Sequence, residues 1–244
     1  MLKFSSCIHA GVSLGLNPVR SQRPMLKDLF LDVLFPKFCL GCGKEGKYIC
    51  ERCDVFISEC EPIEFTETRV SGELDGLISV WEYEGLIKKA IHQIKYQGIT
   101  DIIKELMNII EVVEVGSDPD LTPIITYVPM YKKREKKRGF NQAKIIAREL
   151  AKKTGFPAVC LLKKIKDTKP QMELKQKERL ENIKGCFKPA EARPRQNCRG
   201  RASVKSVILV DDVYTTGATM RECAKVLKKS GMEKVIGFVL ARTV

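Results

Sequence analysis

VILVDDVYTTGAT, residues 207–219, sets four apolar residues ahead of two adjacent carboxylates and then gathers three threonines around one glycine. The run Val207–Val210 reads as a buried strand, and MRECAKVLKKSG, which starts at Met220 and ends at Gly231, has the spacing of a helix. The segment is therefore a strand, a loop and a helix N-terminus, with KVIGFVLA from Lys234 as a final strand. Amides at a helix N-terminus lack intrahelical partners and carry partial positive charge, so a phosphate can rest on them. Gly217, followed by the small Ala218, lets the backbone approach closely, and the hydroxyls of Thr215, Thr216 and Thr219 can donate to phosphate oxygens. Two ionised carboxylates beside a phosphate cradle are electrostatically unfavourable unless they serve hydroxyl groups. A ribose 2′,3′-diol, a few ångströms from its own 5′-phosphate, supplies those hydroxyls. In open parallel sheets ligands sit beyond the carboxyl ends of the strands, where Asp211 and Asp212 stand. The expected ligand is a ribose 5-phosphate compound.

The rest of the chain agrees with such a sheet. LISVWEYEG, 77–85, favours a strand, and Leu86, Ile87, Ala90, Ile91 and Ile94 mark one face of a helix that stops near Gly98. Ile102, Ile103, Leu106, Ile109, Ile110 and Val113 mark another helix. IITYV, 124–128, is a short strand closed by Pro129, and a helix from about Asn141 aligns Ala143, Ile146, Ala147 and Leu150 before Gly155. Residues 163–205 are polar and basic, with a short helix expected around 173–184. Strands alternating with helices predict an α/β fold, a parallel sheet covered by helices on both faces. The expected organisation is an arm over 1–24, disordered or upstream of the start in use, a small module over 25–60, a linker over 61–75 and the main domain over 76–244. MLKDLFLDVLF, from Met25, carries a helical apolar face, while the arm makes a poor signal peptide.

The net charge of +13 is concentrated. Residues 131–205 hold 24 Lys/Arg against 7 Asp/Glu, so the remainder is slightly acidic. Clustered positive charge favours anionic ligands, whether nucleotides, pyrophosphate or nucleic acid, without choosing among them. No apolar run approaches the roughly 20 residues needed to span a bilayer, so no membrane insertion is expected.

Cys39, Cys42, Cys50 and Cys53 follow the pattern C-x2-C-x7-C-x2-C. Each two-residue gap lets a pair of thiolates face one ion, and two pairs complete a tetrahedral site suited to zinc. Four thiolates leave no position for an activated water, so the expected Zn2+ is structural. A pair of disulfides or a redox dithiol are the alternatives. Reduced thiols and the lack of an export signal favour a cytoplasmic location. Cys60 is expected to be a free thiol, and Cys160, Cys186, Cys198 and Cys223 to be small, partly buried core residues. His9 falls in the arm, and His92 is expected to be a satisfied polar or partly buried helix residue. No serine or cysteine is placed beside a base, and no G-x-x-x-x-G-K-S/T loop occurs.

VILVDDVYTTGAT resembles the signature of the phosphoribosyltransferases, in which an apolar strand, an acidic pair and a T-T-G-x-T loop hold phosphoribosyl pyrophosphate (PRPP). The resemblance narrows with FPKFCLGCGKEGKYICERC (35–53), IHQIKYQG (91–98), RGFNQAKIIARELAKKTG (138–155) and KDTKPQMELKQKERLENIKGCF (166–187). Together these blocks are similar to the ComF family, which pairs a four-cysteine knuckle with a phosphoribosyltransferase-like domain. TYVPMY, 126–131, departs from a more proline-rich turn of that family, and a second C-x-x-C unit carried by some members is missing. The resemblance implies that the turn from Val128 to Arg134 holds pyrophosphate with help from Arg138 and Lys95. It also implies that Mg2+ accompanies PRPP, and that Asp211 and Asp212 orient the diol directly or through metal-bound water. A mobile loop over 163–184, with Thr168, Gln171, Arg179 and Asn182 as its polar face, would close over the ligand. The family's role in DNA uptake implies single-stranded DNA and a competence helicase as partners. Two functions follow: transfer of a phosphoribosyl group to an acceptor, or non-catalytic binding of single-stranded DNA beside a vestigial or regulatory nucleotide site.

Overall fold

The computed structural model describes residues 36–57, 63–64, 73–110, 123–168, 181–190 and 205–243. Four parallel strands form the sheet's body: β2 (Gly76–Glu82), β7 (Lys234–Arg242), β6 (Ser206–Tyr214) and β3 (Ile124–Tyr127), in that spatial order. A two-residue strand, β1 (Ile63–Glu64), inside the expected linker, pairs antiparallel with β2 at the far edge. Helices α2 (Gly85–Gln97), α3 (Asp101–Ile109) and α5 (Gln142–Thr154) cover one face. The other face carries α6 (Ala218–Lys229) and a hairpin of β4 (Leu162–Lys164) and β5 (Phe187–Pro189).

Strand β6 shows how the sequence sets these layers. Successive strand residues point to opposite faces, so Ile208 and Val210 join Ile91, Ile103, Leu106 and Ile146 in one core, while Val207 and Leu209 join Cys223, Ala224 and Leu227 in the other. An uninterrupted apolar run is what a doubly covered strand needs, and the parallel sheet read from the sequence is the one observed. Gly237 on β7 marks the tightest approach: a Cβ there would stand 2.8 Å from Leu77 Cδ1 and 2.9 Å from Met220 Cε. Helices α2 and α5 end where Gly98 and Gly155 turn left-handed, as their sequences indicate.

Several expectations are corrected. The strand expected over 77–85 ends at Glu82, because Gly85 already opens α2. Strand β6 does not stop at Val210 but runs through both aspartates to Tyr214, held there by pairing with β7. KKREKKR forms helix α4 (Lys132–Arg138), which has no buried residue and hence no apolar periodicity to betray it. The β4–β5 hairpin lies in the segment read as lacking pattern. Cys186 and Cys223 are buried as expected, but Cys160 is exposed, on the chain leaving the sheet after its bridge at Ala158. The arm, the Met25 helix, Cys60, Cys198 and Val113 lie outside the described residues, and of the 173–184 helix only a turn at 181–183 falls within them.

The cysteine module is not a detached bead. It contains the short helix α1 (Glu51–Asp54), and its Ile49 is 3% exposed within the core formed by Trp81 and helices α2, α3 and α5. Leu40, Tyr48 and Ile57 pack against the same cluster, and the Ile49 amide donates to Glu105 Oε1 at 2.7 Å.

Candidate functional site: a strand edge and a cysteine cluster

Unequal strand lengths create the site. Strand β3 ends at Tyr127, opposite Val210, and the Val128 amide closes that ladder on the Val210 carbonyl at 2.9 Å. Beyond this point β6 is paired only with β7, so Asp211–Tyr214 border an opening. The chain leaving β3 turns into α4, and Asn141 then caps α5 while its Nδ2 donates to the Val128 carbonyl at 3.1 Å. One residue on, Gln142 enters the site.

Asp212 is buried and well held. Its Oδ2 accepts from Gln142 Nε2 at 3.0 Å and pairs with Lys95 Nζ at 2.9 Å. Arg138 Nη1 in turn donates to Gln142 Oε1 at 3.1 Å, which links Arg138, Gln142, Asp212 and Lys95 in one polar chain. Burial alone would lower the Lys95 pKa, but the charge and hydrogen bond of Asp212, with the charge of Asp211, together outweigh it and the ammonium is favoured. Asp211 differs: burial, then the neighbouring Asp212 charge, push its carboxyl up to about 7, despite the Asp212 amide that donates to Asp211 Oδ1 at 2.9 Å. The pair thus holds one acid tied to a cation and one whose ionisation burial and the neighbouring charge oppose.

Next to the acids lies loop 215–219, read from the sequence as a phosphate cradle. Helix α6 starts at Ala218 with Gly217, in a left-handed conformation (φ 71°), as its N-cap, and the Ala218 amide donates to Thr216 Oγ1 at 3.5 Å. Arg221 Nη2 fixes the loop by donating to the Thr216 carbonyl at 2.6 Å. The Tyr214 ring lies over Gly217, so a Cβ at that position would collide with the ring and its hydroxyl. Gly217→Ala therefore meets left-handed strain of about 1–2 kcal/mol as well as the tyrosine. The expected result is a displaced loop, a lower Tm and at least about tenfold weaker binding of ribose 5-phosphate, measured by thermal denaturation and calorimetry.

Lys95, Arg134, Arg138, Thr168, both aspartates and loop 215–219 all border one open cleft of about 1650 Å3. Arg134 Nε pairs with Asp167 Oδ1 at 2.6 Å and its guanidinium also donates to the Thr168 carbonyl. Lys164 Nζ donates to Thr168 Oγ1 at 2.9 Å, and burial lowers the pKa of this ammonium. Asn182 is not among the cleft-lining residues; its carbonyl accepts from Cys186 Sγ at 3.2 Å beneath the hairpin. Gln171 and Arg179 lie outside the described residues. Sequence reasoning missed Gln142, Lys164 and Arg221. Only Gln142 had a usable signal, its place directly after a helix-capping asparagine.

The four sulfurs of Cys39, Cys42, Cys50 and Cys53 lie within 4.8 Å of one another, with Cys42 and Cys50 3.6 Å apart. Tetrahedral zinc with bonds of about 2.3 Å separates its sulfurs by about 3.8 Å, so the cluster fits that ion after a small contraction. Burial raises the Cys39 pKa, but amides of Cys42, Cys50 and Gly41 together outweigh it and bring the thiol down to about 6. Burial and the surrounding sulfurs push Cys53 up to about 12. The cluster could hold one metal ion, whose charge would offset that of four thiolates.

Comparison with known proteins agrees with the geometry. Residues 136–243 match the phosphoribosyl transferase domain. The chain is 28% identical to Competence protein F of Haemophilus influenzae, over 85% of each chain, and 28% identical to Competence protein ComFC of Bacillus subtilis, over 97% of each. It is also 28% identical to the DNA utilization protein YhgH of Escherichia coli, covering 68% of this chain and 72% of that protein. The chain thus carries a phosphoribosyl transferase domain and is similar along most of its length to Competence protein F and Competence protein ComFC.

Proposed function

We propose that this protein binds PRPP or a related ribose 5-phosphate compound with Mg2+ at the β6 edge, transfers the phosphoribosyl group to an acceptor, and serves DNA uptake. The observation that carries the reading is the adjacency of Asp212, tied to Lys95 and Gln142, to the helix N-terminus at Gly217. Such an edge suits a diol on one side and a phosphate on the other. Competence and DNA utilization, in the names of the relatives, support the biological role.

The chemistry asks little covalent work of the chain. The bond from the anomeric carbon to pyrophosphate breaks, the acceptor's lone pair forms the new bond, and the acceptor then loses its proton. Arg134 and Arg138, both bordering the cleft, would offset leaving-group charge. Mg2+ suits the carboxylates, pyrophosphate and hydroxyls as an oxygen-bound ion carried largely by the ligand. The test is pyrophosphate release from PRPP screened against bases, amines and amides. Release with one acceptor class, abolished in the Asp211→Asn/Asp212→Asn double variant, supports transfer; none with any class counts against it.

The second reading, non-catalytic binding of single-stranded DNA, has its own observation. Six of the seven residues of α4 are cationic, and Lys133 and Lys137 border the cleft mouth. If these cations neutralise several DNA phosphates, log affinity falls with log salt at a slope of about −0.7 per phosphate for a single strand. A titration from low to physiological salt is expected to show a slope steeper than about −2, reduced in Lys133→Ala/Lys137→Ala. A flat slope removes this reading.

A further inference from the structure

The cysteine module is apolar on its outside as well as its inside. Among the described residues the exposed large hydrophobic side chains are Phe38, Val55, Phe56 and Tyr96, and all but Tyr96 belong to this module. Phe38 is 51% exposed, and Val55 and Phe56 are 76% exposed each. Their neighbours face inward: Cys39 and Cys53 are buried, and Leu40 and Ile57 pack against the main core. Single exposed hydrophobic residues are ordinary, but a group of them on one small module marks a contact surface. All three stand around the sulfur cluster, since Phe38 adjoins Cys39, Val55 and Phe56 follow closely on Cys53, and the four sulfurs lie within 4.8 Å of one another. None of them borders the ligand cleft.

The chain that leads into the module carries the complementary surface. MLKDLFLDVLF, residues 25–35, lies outside the described residues, which begin at residue 36. Leu26, Leu29, Phe30, Val33 and Leu34 repeat at i, i+3, i+4, i+7 and i+8, the stripe of a helix that faces a core. Alone in water a helix this short is marginal, so the stripe needs a surface to cover it. Pro36 disfavours helical backbone at Phe35 and stops the segment there. Only Pro36 and Lys37 then separate it from Phe38. So short a tether keeps the segment at a roughly millimolar effective concentration beside the module. A helix over 25–35 is about 16 Å long, enough to run from Phe38 past a cluster whose sulfurs lie within 4.8 Å to Val55 and Phe56.

We propose that residues 25–35 form an amphipathic helix that folds back on the cysteine module and covers Phe38, Val55 and Phe56 with its stripe of Leu26, Leu29, Phe30, Val33 and Leu34. The occupant of this surface is the chain's own preceding segment, held there by its two-residue tether, rather than a second copy or another protein. The inference stands apart from the ribose-phosphate reading, because no residue of the module borders the ligand cleft.

Hydrogen exchange read by mass spectrometry on the full, metal-loaded chain tests it. In wild type the amides of residues 26–35 are expected to exchange at least about tenfold more slowly than in an unstructured peptide, to the same degree at low and high protein concentration. Val55→Ser/Phe56→Ser, which alters only exposed positions, is expected to abolish that protection while α2 and α5 keep theirs. Lys27→Ala/Asp28→Ala, off the stripe, is expected to retain it. In the reverse direction, Leu29→Ser/Phe30→Ser is expected to raise hydroxyl-radical labelling of Phe38 and Phe56. Unprotected exchange over 26–35 in wild type, protection that survives Val55→Ser/Phe56→Ser, or labelling unchanged by Leu29→Ser/Phe30→Ser overturns the proposal. Protection that appears only as concentration rises, together with a dimer in sedimentation, overturns it too and assigns the surface to a second copy of the chain.

Discussion

Replacing Asp211 and Asp212 together by Asn is expected to weaken PRPP binding at least about a hundredfold. In the proposed complex each carboxylate would accept a charge-assisted hydrogen bond from the sugar or its Mg2+ shell, worth about 1.5–3 kcal/mol, and an amide of the same shape offers neither charge nor a second acceptor. The two positions differ in stability. Asp212→Asn leaves Lys95 without its partner at 2.9 Å and is expected to destabilise the fold by about 1.5–3 kcal/mol. Asp211 behaves oppositely, because its folded pKa, about 7, lies above the ordinary 3.8. Its stabilising contribution is therefore complete below pH 3.8 and is lost as pH rises through about 7. Asp211→Asn is expected to raise the Tm of the ligand-free protein at pH 8 while reducing binding. Because the sugar hydroxyl and cation need the ionised carboxylate, ribose 5-phosphate affinity in wild type is expected to rise about tenfold from pH 6 to pH 8. That rise should be lost in Asp211→Asn. Parallel thermal and calorimetric titrations check both.

Removal of the metal is expected to have the next largest effect. Metal analysis should return one zinc per chain, and chelation should release residues 36–57. The loss should reach further than a detached module would allow, because Ile49 is built into the core with Trp81 and helices α2, α3 and α5. Exposing a buried isoleucine of this kind costs about 2–5 kcal/mol, which lowers the Tm of a domain this size by roughly 5–15 °C. Ile49→Ala with zinc retained should reproduce a large part of that loss. An unchanged Tm after chelation would show the thiolate cluster to be irrelevant to the fold. Since α2 carries Lys95, His92 and Tyr96, the knuckle also steadies the helix that borders the ligand cleft.

Apolar periodicity made the main sheet and its helices legible, because each buries a regular face: Val207–Val210 is uninterrupted, and α5 aligns Ala143, Ile146, Ala147 and Leu150. What escaped was structure held by other means. Helix α4 buries nothing, and β1, β4 and β5 have two or three residues each, too few to show alternation. The placement of Asp211, Asp212 and the threonine loop at one strand edge was readable because they are neighbours in sequence. Gln142 meets Asp212 across 70 residues, and Lys164 reaches the cleft from a three-residue strand. Contacts of that kind depend on where β3 ends relative to β6, which no single segment encodes. His92, which stands exposed beside the cleft rather than satisfied or partly buried as expected, was misjudged for a related reason: helical spacing gives the face a residue occupies but not whether that face meets core or cleft.

The central claim is tested most directly by calorimetric titration of the zinc-loaded chain with PRPP and with ribose 5-phosphate in the presence of Mg2+. The account predicts one saturable site per chain, shared by both ligands in competition and lost in the Asp211→Asn/Asp212→Asn variant while the protein remains folded. Absence of binding by either ligand to folded, metal-loaded protein, or undiminished binding by the double variant, would contradict it.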